Sequence, residues 1–161
     1  MDKPSIRVGL GTDTHAFQKG EFLVIGGVKI PFDKSFKAHS DGDVLLHAVC
    51  DALLGASGNK DIGTFFPDTD PVFENANSMD LLKKTVEIIH AQNWKVANID
   101  CVITIQQPKM APHIDAMKDN IASCLQISTE EVSVKAKTSE NIGFIGRGEG
   151  ASAQVVVLLY R

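Results

Sequence analysis

The sequence predicts an α/β (α+β) fold built on one mixed β-sheet, and three observations carry that expectation. Short segments with the two-residue alternation of strands interleave with segments of helical period. No composition break, repeat or low-complexity stretch divides the 161 residues, so 1–161 reads as a single domain. The last strand-like run, Val155-Val156-Val157-Leu158-Leu159, is apolar at every position and leaves neither face for water.

Residues 5–10 alternate apolar and polar, as a strand that delivers Asp13 and His15 at its end. Residues 23–25 and 28–30 read as a hairpin around Gly26-Gly27, closed by Pro31. Ser40 fits the N-cap of the next helix, with Asp43 three residues on, and that helix ends near Gly55. Residues 59–76 are turn-rich, and so long a loop in a compact domain is usually functional or mobile. Asn77 caps a helix whose Leu81, Leu82, Val86, Ile88 and Ile89 fit the 3.6-residue period. A strand over 96–105, a helix over 110–125 and a strand over 132–137 follow. Residues 143–150 form a glycine-dense turn, and 152–159 the final strand.

Composition narrows the function classes. The hydrophobic share of 43% and charged share of 22% are those of an ordinary soluble protein. A net charge of −4 and a pI near 5.7 give no footprint for nucleic acid or anionic membrane. A phosphorylated ligand would then be held by local cations, a metal or helix N-termini. Cys50, Cys101 and Cys124 are scattered and odd in number, which points to a reducing compartment. Cys50, three residues after His47, reads as a small buried hydrophobe more than a competing metal ligand. No apolar run nears the ~20 residues of a membrane span. Met1-Asp2-Lys3-Pro4 has neither signal nor transit character, so a cytoplasmic protein is expected.

The residues richest in chemistry are Asp13, His15 and His47. Residues two apart on a strand share a face, so Asp13 and His15 emerge side by side. Asp43, His47 and Asp51 form a polar stripe along an otherwise apolar helix. Two imidazoles, one carboxylate and an open position make the ligand set of catalytic zinc. Asp43 or Asp51 would take the second ring N–H of His47. Equally, a strand-end His and a satisfied core His need never meet, and spacing alone leaves both readings open.

Other clusters also read two ways. His39 and Ser40, before a buried helix, can donate to a phosphate at its N-terminus, or Ser40 can simply cap it. Asp68 and Asp70, in Phe65-Phe66-Pro67-Asp68-Thr69-Asp70-Pro71, suit a metal or ordinary turns. Lys135, Lys137, Thr138, Ser139 and Glu140 suit a diphosphate with a hard metal ion, or a solvated strand end. Gly146-Arg147-Gly148-Glu149-Gly150 fits neither a Walker loop nor a dinucleotide fingerprint, although Arg147 is a natural anion fork.

Five blocks stand in order: Gly-Thr-Asp-Thr-His-Ala-Phe; Ala-His-Ser-Asp-Gly-Asp with His47 behind it; Asp-Ile-Gly with Phe-Pro-Asp-Thr-Asp-Pro; Pro-Lys-Met-Ala-Pro-His; and Gly-Phe-Ile-Gly-Arg-Gly-Glu-Gly. From about residue 6 to the C-terminus the chain closely resembles the 2-C-methyl-D-erythritol 2,4-cyclodiphosphate synthases of the non-mevalonate isoprenoid pathway. The resemblance implies helices packed on one face of the sheet, and a homotrimer with the sheets around the three-fold axis and active sites between subunits. It implies one Zn²⁺ per chain on Asp13, His15 and His47, and Mg²⁺ or Mn²⁺ on Glu140. His39 and Thr138 match the residues held to stabilise the transition state. Asp13, Thr14, His15, His39 and Ser40 touch substrate in that pattern. Asp61, Ile62 and Gly63, with Phe66, Pro67, Asp68, Thr69 and Asp70, match the methylerythritol phosphate site. Ile105, Gln106, Gln107, Pro108, Lys109, Met110 and Ala111 match the cytidine pocket. Lys137, Thr138, Ser139 and Glu140 match the diphosphate cradle, Lys137 standing where other members carry Thr. Phe144 and Arg147 complete the site.

The implied reaction is cyclisation of 4-diphosphocytidyl-2-C-methyl-D-erythritol 2-phosphate with loss of CMP. It needs no protein nucleophile, in keeping with the lack of an activated Ser or Cys. A zinc hydrolase would use the same ligands plus a base such as Asp41 or Asp61. A nucleotide-binding module would need only 105–111 and 137–140, leaving the metal trio without a purpose. In a trimer, Arg147 and Glu149 are expected to meet in three copies near the axis, as alternating pairs or around an isoprenoid diphosphate or other anion. Val157 is read as a partner-facing position of the last strand.

Overall fold

The computed structural model describes residues 5–161; residues 1–4, read above for the absence of a leader, lie outside the described residues. The described residues form strands β1 (Ile6–Lys19), β2 (Phe22–Ile25), β3 (Val28–Pro31), β4 (Lys34–Phe36), β5 (Lys95–Thr104), β6 (Val132–Lys137) and β7 (Gly150–Tyr160). The helices are α1 (Val44–Ala56), α2 (Ile62–Phe65), α3 (Ser78–Ala91), α4 (Ile114–Leu125) and α5 (Gly143–Gly146). Among the described residues, no helix is long and apolar enough to cross a membrane.

Five strands make a mixed sheet in the order β4-β1-β7-β5-β6, with β2 and β3 as a separate hairpin. β5 and β6 run parallel, and the other neighbours in the sheet are antiparallel. α1 packs on β1 and β7, α4 on β6, and α3 on α1, so the helices cover one face as expected. Along β7 the period of two separates the faces: Val155, Val157 and Leu159 are fully buried beneath the helices, whereas Val156 and Tyr160 point outward. Val157 therefore belongs to the core, and Val156 is the residue that faces away from it. The outward register pairs Ile6 with Tyr160, Val8 with Leu158 and Leu10 with Val156. Ile6, Val8 and Leu10 are 61%, 68% and 65% exposed, an apolar strip of the kind that marks a contact surface.

Several boundaries differ from the sequence reading, each because of tertiary pairing. β1 continues to Lys19, since β7 pairs with it from Ile6 to Ala16, so Asp13 and His15 lie inside the strand. β4 is too short to show a periodic pattern. The 59–76 stretch holds α2 and a 3-10 turn at Pro71–Phe73. A 3-10 turn over Ala111–His113 precedes α4, and α5 forms inside the glycine-dense segment. Asn77 caps α3 as expected, its side chain accepting from Met79 N.

The cap of α1 is Asp43, not Ser40. Asp43 accepts from Leu46 N at 3.0 Å, Gly26 N at 2.9 Å and Gly27 N at 2.7 Å. Both turn glycines adopt positive φ, which brings two successive N–H groups onto one carboxylate. Burial pushes that carboxyl up to about 6, against the pull of the three N–H donors. One buried side chain thus ties the hairpin turn to the start of α1.

The decisive packing lies further along α1. Its residues Ala48, Ala52 and Ala56 recur every four positions and face the inward side of β1, where Gly9 and Gly11 stand. A Cβ on Gly11 would lie 1.9 Å from the Ala48 carbonyl oxygen, and one on Gly9 2.0 Å from that of Ala52. The helix backbone rests directly on the strand, and the next inward positions of β1 are Asp13 and His15.

Gly11→Ala is therefore expected to cost about 1–3 kcal/mol of stability through overpacking against a helix backbone. Gly55→Ala, in the same helix but with nothing within 4 Å of the added methyl, should instead stabilise by about 0.5–1 kcal/mol. Urea denaturation of the two variants checks both signs.

Candidate active site

The seat of α1 on β1 puts His47 over Asp13 and His15. Asp13 Oδ2 stands 2.8 Å from His15 Nε2 and 3.1 Å from His47 Nδ1, and the two ring nitrogens are 3.3 Å apart. Among the described residues this is the one cluster of three such donors close enough to share a cation. Ligands ~2.0–2.2 Å from a tetrahedral zinc are about 3.3–3.6 Å apart, so a small outward shift of Asp13 would admit the ion. Two imidazole lone pairs and a carboxylate aimed at one point are a donor set that a divalent cation fits.

Electrostatics without a metal agree with a tight cluster. Burial raises the Asp13 carboxyl, but hydrogen bonds and charge from His15 and His47 outweigh it and bring it down to about 2. Burial lowers the His47 imidazole, but the Asp13 hydrogen bond and neighbouring carboxylates reverse this and raise it. Cys50 plays no part: it is fully buried, and burial pushes its thiol up to about 12.

Neither Asp43 nor Asp51 meets the second nitrogen of His47. Asp43 is taken up by backbone N–H groups, and Asp51 accepts from Ile62 N at 2.7 Å, tying α2 to α1. His47 Nε2 instead faces Ser78 Oγ at 3.0 Å and Ser40 Oγ at 3.4 Å. Sequence reasoning missed Ser78 because a serine beside a helix cap carries no further signal.

The trio opens into a cavity of about 300 Å³ that is also lined by His39, Ser40, Ile62, Gly63, Phe66 and Asp68. Asp61 caps α2 through Thr64, and Asp70 caps the turn at Val72, so these two carboxylates order the loop that carries Pro67 and Thr69. Thr14 points to the outer face of β1, away from Asp13 and His15.

A second group gathers where β5 and β6 end side by side. Ile105 N donates to Lys137 O at 2.9 Å, and Gln106 Oε1 accepts from Ser139 N and Asn141 N, both at 3.3 Å. This joins 105–111, with Met110 buried and Lys109 exposed, to 137–140. Glu140 and Asn141 hold the left-handed conformation, and Thr138 Oγ1 lies 3.4 Å from Glu140 Oε1. Phe144 is exposed on α5. Arg147 Nε donates to Glu149 Oε1 at 2.8 Å, so that pairing forms within one chain.

The two groups share a level of the sheet but not a cavity. Thr14, Ser152, Thr104 and Lys137 form one cross-strand row, three strand spacings wide, or ~14 Å. His39 and Thr138 therefore stand on separate surfaces of one chain.

A family model described as the YgbB family matches residues 6–160. The chain belongs to that family. A YgbB relative from Thioalkalivibrio sulfidiphilus, named 2-C-methyl-D-erythritol 2,4-cyclodiphosphate synthase, is 54% identical over 155 residues, covering 96% of this chain and 97% of that protein. The bifunctional IspDF of Campylobacter jejuni superposes with a TM-score of 0.94 at 43% identity, covering 98% of this chain. This chain spans only 43% of that longer one. A Plasmodium falciparum IspF solved as a CDP complex gives a TM-score of 0.85 at 34% identity, covering 98% of this chain and 97% of that one.

The two carboxylates considered as bases for a hydrolytic water in this YgbB chain are both engaged in hydrogen bonds. Asp41 accepts from Ser78 Oγ, Ser78 N and Asp43 N, while Asp61 accepts from Thr64.

In metal-free protein the cluster carries a pH signature. The lowered Asp13 contributes stability above the ordinary carboxyl range that is lost as pH falls from about 4 towards 2. The raised His47 contributes stability below 6.5 that is lost as pH rises through its folded value. The melting temperature of the metal-free chain should thus decline above about pH 6.5, and His47→Ala should flatten that decline. Parallel profiles for the two proteins above that pH would contradict the pairing.

Proposed function

We propose that this chain, as one cyclising domain over 1–161, converts 4-diphosphocytidyl-2-C-methyl-D-erythritol 2-phosphate into 2-C-methyl-D-erythritol 2,4-cyclodiphosphate and CMP. The observation that carries the reading is the convergence of Asp13, His15 and His47 on one point of an open cavity, in a YgbB chain. The CDP held by a solved relative shares the cytidine diphosphate part of this substrate.

An oxygen of the 2-phosphate attacks the β-phosphorus. The bond from that phosphorus to the bridging oxygen breaks, and CMP leaves with the electron pair. The obstacle is bringing two anionic phosphates together, so positioning and charge neutralisation carry the catalysis. Asp13, His15 and His47 would hold zinc, which when bound supplies a Lewis acid that offsets charge on phosphate oxygens. His39 donates to phosphate oxygens from the same cavity wall, and Ser40 adds a hydroxyl. Ile62, Gly63, Phe66 and Asp68 receive the methylerythritol phosphate. Residues 105–111 receive cytidine. Lys137, Thr138 and Ser139 hold the diphosphate, and Glu140 would bind Mg²⁺ or Mn²⁺, which takes one carboxylate together with substrate oxygens.

These groups meet if the active site is shared between chains. The apolar strip of Ile6, Val8, Leu10, Val156, Leu158 and Tyr160 supports a homotrimer built on the outer sheet face. Arg147 and Glu149, which precede β7, would then lie near its axis, where an isoprenoid diphosphate or another anion is a candidate ligand.

Metal analysis should find about one zinc per chain, and His47→Ala should lose most of it, with CMP release, while keeping its fold. Full zinc occupancy in that variant would remove His47 from the ligand set. Glu140→Gln should raise the Mg²⁺ needed for half-maximal CMP release with zinc content unchanged. Light scattering should give about three times the 17.4 kDa chain mass, reduced by Val156→Glu. An active monomer would defeat the shared site.

A further inference from the structure

One buried hydrogen-bond chain plays no part in the reaction as described. Ser78 is the first residue of α3 and is fully buried, which is uncommon for a hydroxyl. Its Oγ stands 3.0 Å from His47 Nε2, the ring nitrogen turned away from Asp13 and His15. The same oxygen is in short contact with Asp41 Oδ1. A carboxylate can only accept, so the Ser78 hydroxyl donates to Asp41 and its oxygen is left to accept from His47. That order places a proton on Nε2; in the metal-free protein Nδ1 also donates, to Asp13 at 3.1 Å, and on metal loading the Nδ1 proton is the one that leaves.

The chain is anchored at its far end. Asp41 Oδ2 accepts from Ser78 N at 2.9 Å, and Oδ1 accepts from Asp43 N at 3.1 Å. Asn75 N donates to His39 O at 2.9 Å, which ties the segment before α3 to the one before α1. Ser40 Oγ, at 3.4 Å from Nε2, is the more distant neighbour and accepts from Gly42 N.

We infer that Ser78, oriented by Asp41, is a positioning residue of the metal centre: it holds His47 in the Nε2–H tautomer, so that Nδ1 is offered to the ion. The inference rests on the metal reading above. It adds a residue, thirty-one positions from His47, that touches neither metal nor substrate.

The test is zinc affinity of the whole chain, by competition with a chromophoric chelator, beside a ¹⁵N-histidine spectrum of the zinc-loaded protein. Partners that orient a metal-bound histidine typically matter by 10–100-fold, so Ser78→Ala should raise the zinc dissociation constant by about that factor, while Ser78→Thr stays within about threefold of the parent. In the unmodified protein His47 should carry a slowly exchanging proton on Nε2, and in Ser78→Ala that proton should exchange fast. A folded Ser78→Ala chain with the parent's zinc affinity would overturn the inference alone. A parent that binds no zinc would overturn the metal reading and this inference together. Should Ser78→Ala fail to fold, the parent spectrum still decides, because a proton on Nδ1 would refute the assignment.

Discussion

The contact on which the rest depends is the bare approach of α1 to β1, backbone against backbone, at Gly9 and Gly11. Any side chain at those two positions would displace Ala48 and Ala52 and lift the helix from the strand. His47 lies one residue before Ala48, and Asp13 lies two after Gly11, so the candidate metal donors sit at the edge of this close backbone contact. Two rigid elements, each stiffened by backbone hydrogen bonds, hold the donors in place before any ion arrives. Such preorganisation lets a site keep an open coordination position without collapsing onto itself.

The second half of the proposed site arises from a different constraint. β5 and β6 are parallel, so their C-terminal ends finish at the same edge and pass their loops to each other through Ile105, Gln106 and Ser139. That edge is level with the metal donors but ~14 Å across the sheet. A small anionic substrate needs both halves at once. The outer strip of apolar residues on β1 and β7 is where the proposed homotrimer would form, and there the proposed diphosphate segment of one chain would meet the metal trio of another.

Much of this was legible in the sequence. The period of two placed Asp13 and His15 on one face, and the helical stripe placed His47 on α1. Whether these elements meet could not be read from spacing, because the answer lies in two glycines and three alanines, whose significance is the absence of side chains. The cap of α1 was misplaced to Ser40, since Asp43 earns its role from the distant Gly26-Gly27 turn. Ser78 and its link to Asp41 were invisible for a similar reason, being partners thirty-seven residues apart. The all-apolar last strand buries one face under the helices and leaves Val156 and Tyr160 exposed on the other, and which valine faces which side depended on the register with β1.

Hybrid assembly tests directly whether the metal trio of one chain works with the diphosphate segment of another. His47→Ala and Thr138→Ala chains, each inactive alone, would be unfolded, mixed in equal amounts and refolded together. If each site takes its two halves from different chains, about a quarter of the sites in the mixture are intact, and CMP release should return to about that fraction of the parent rate. If both halves belong to one chain, every site keeps a defect and the mixture should stay as inactive as its components.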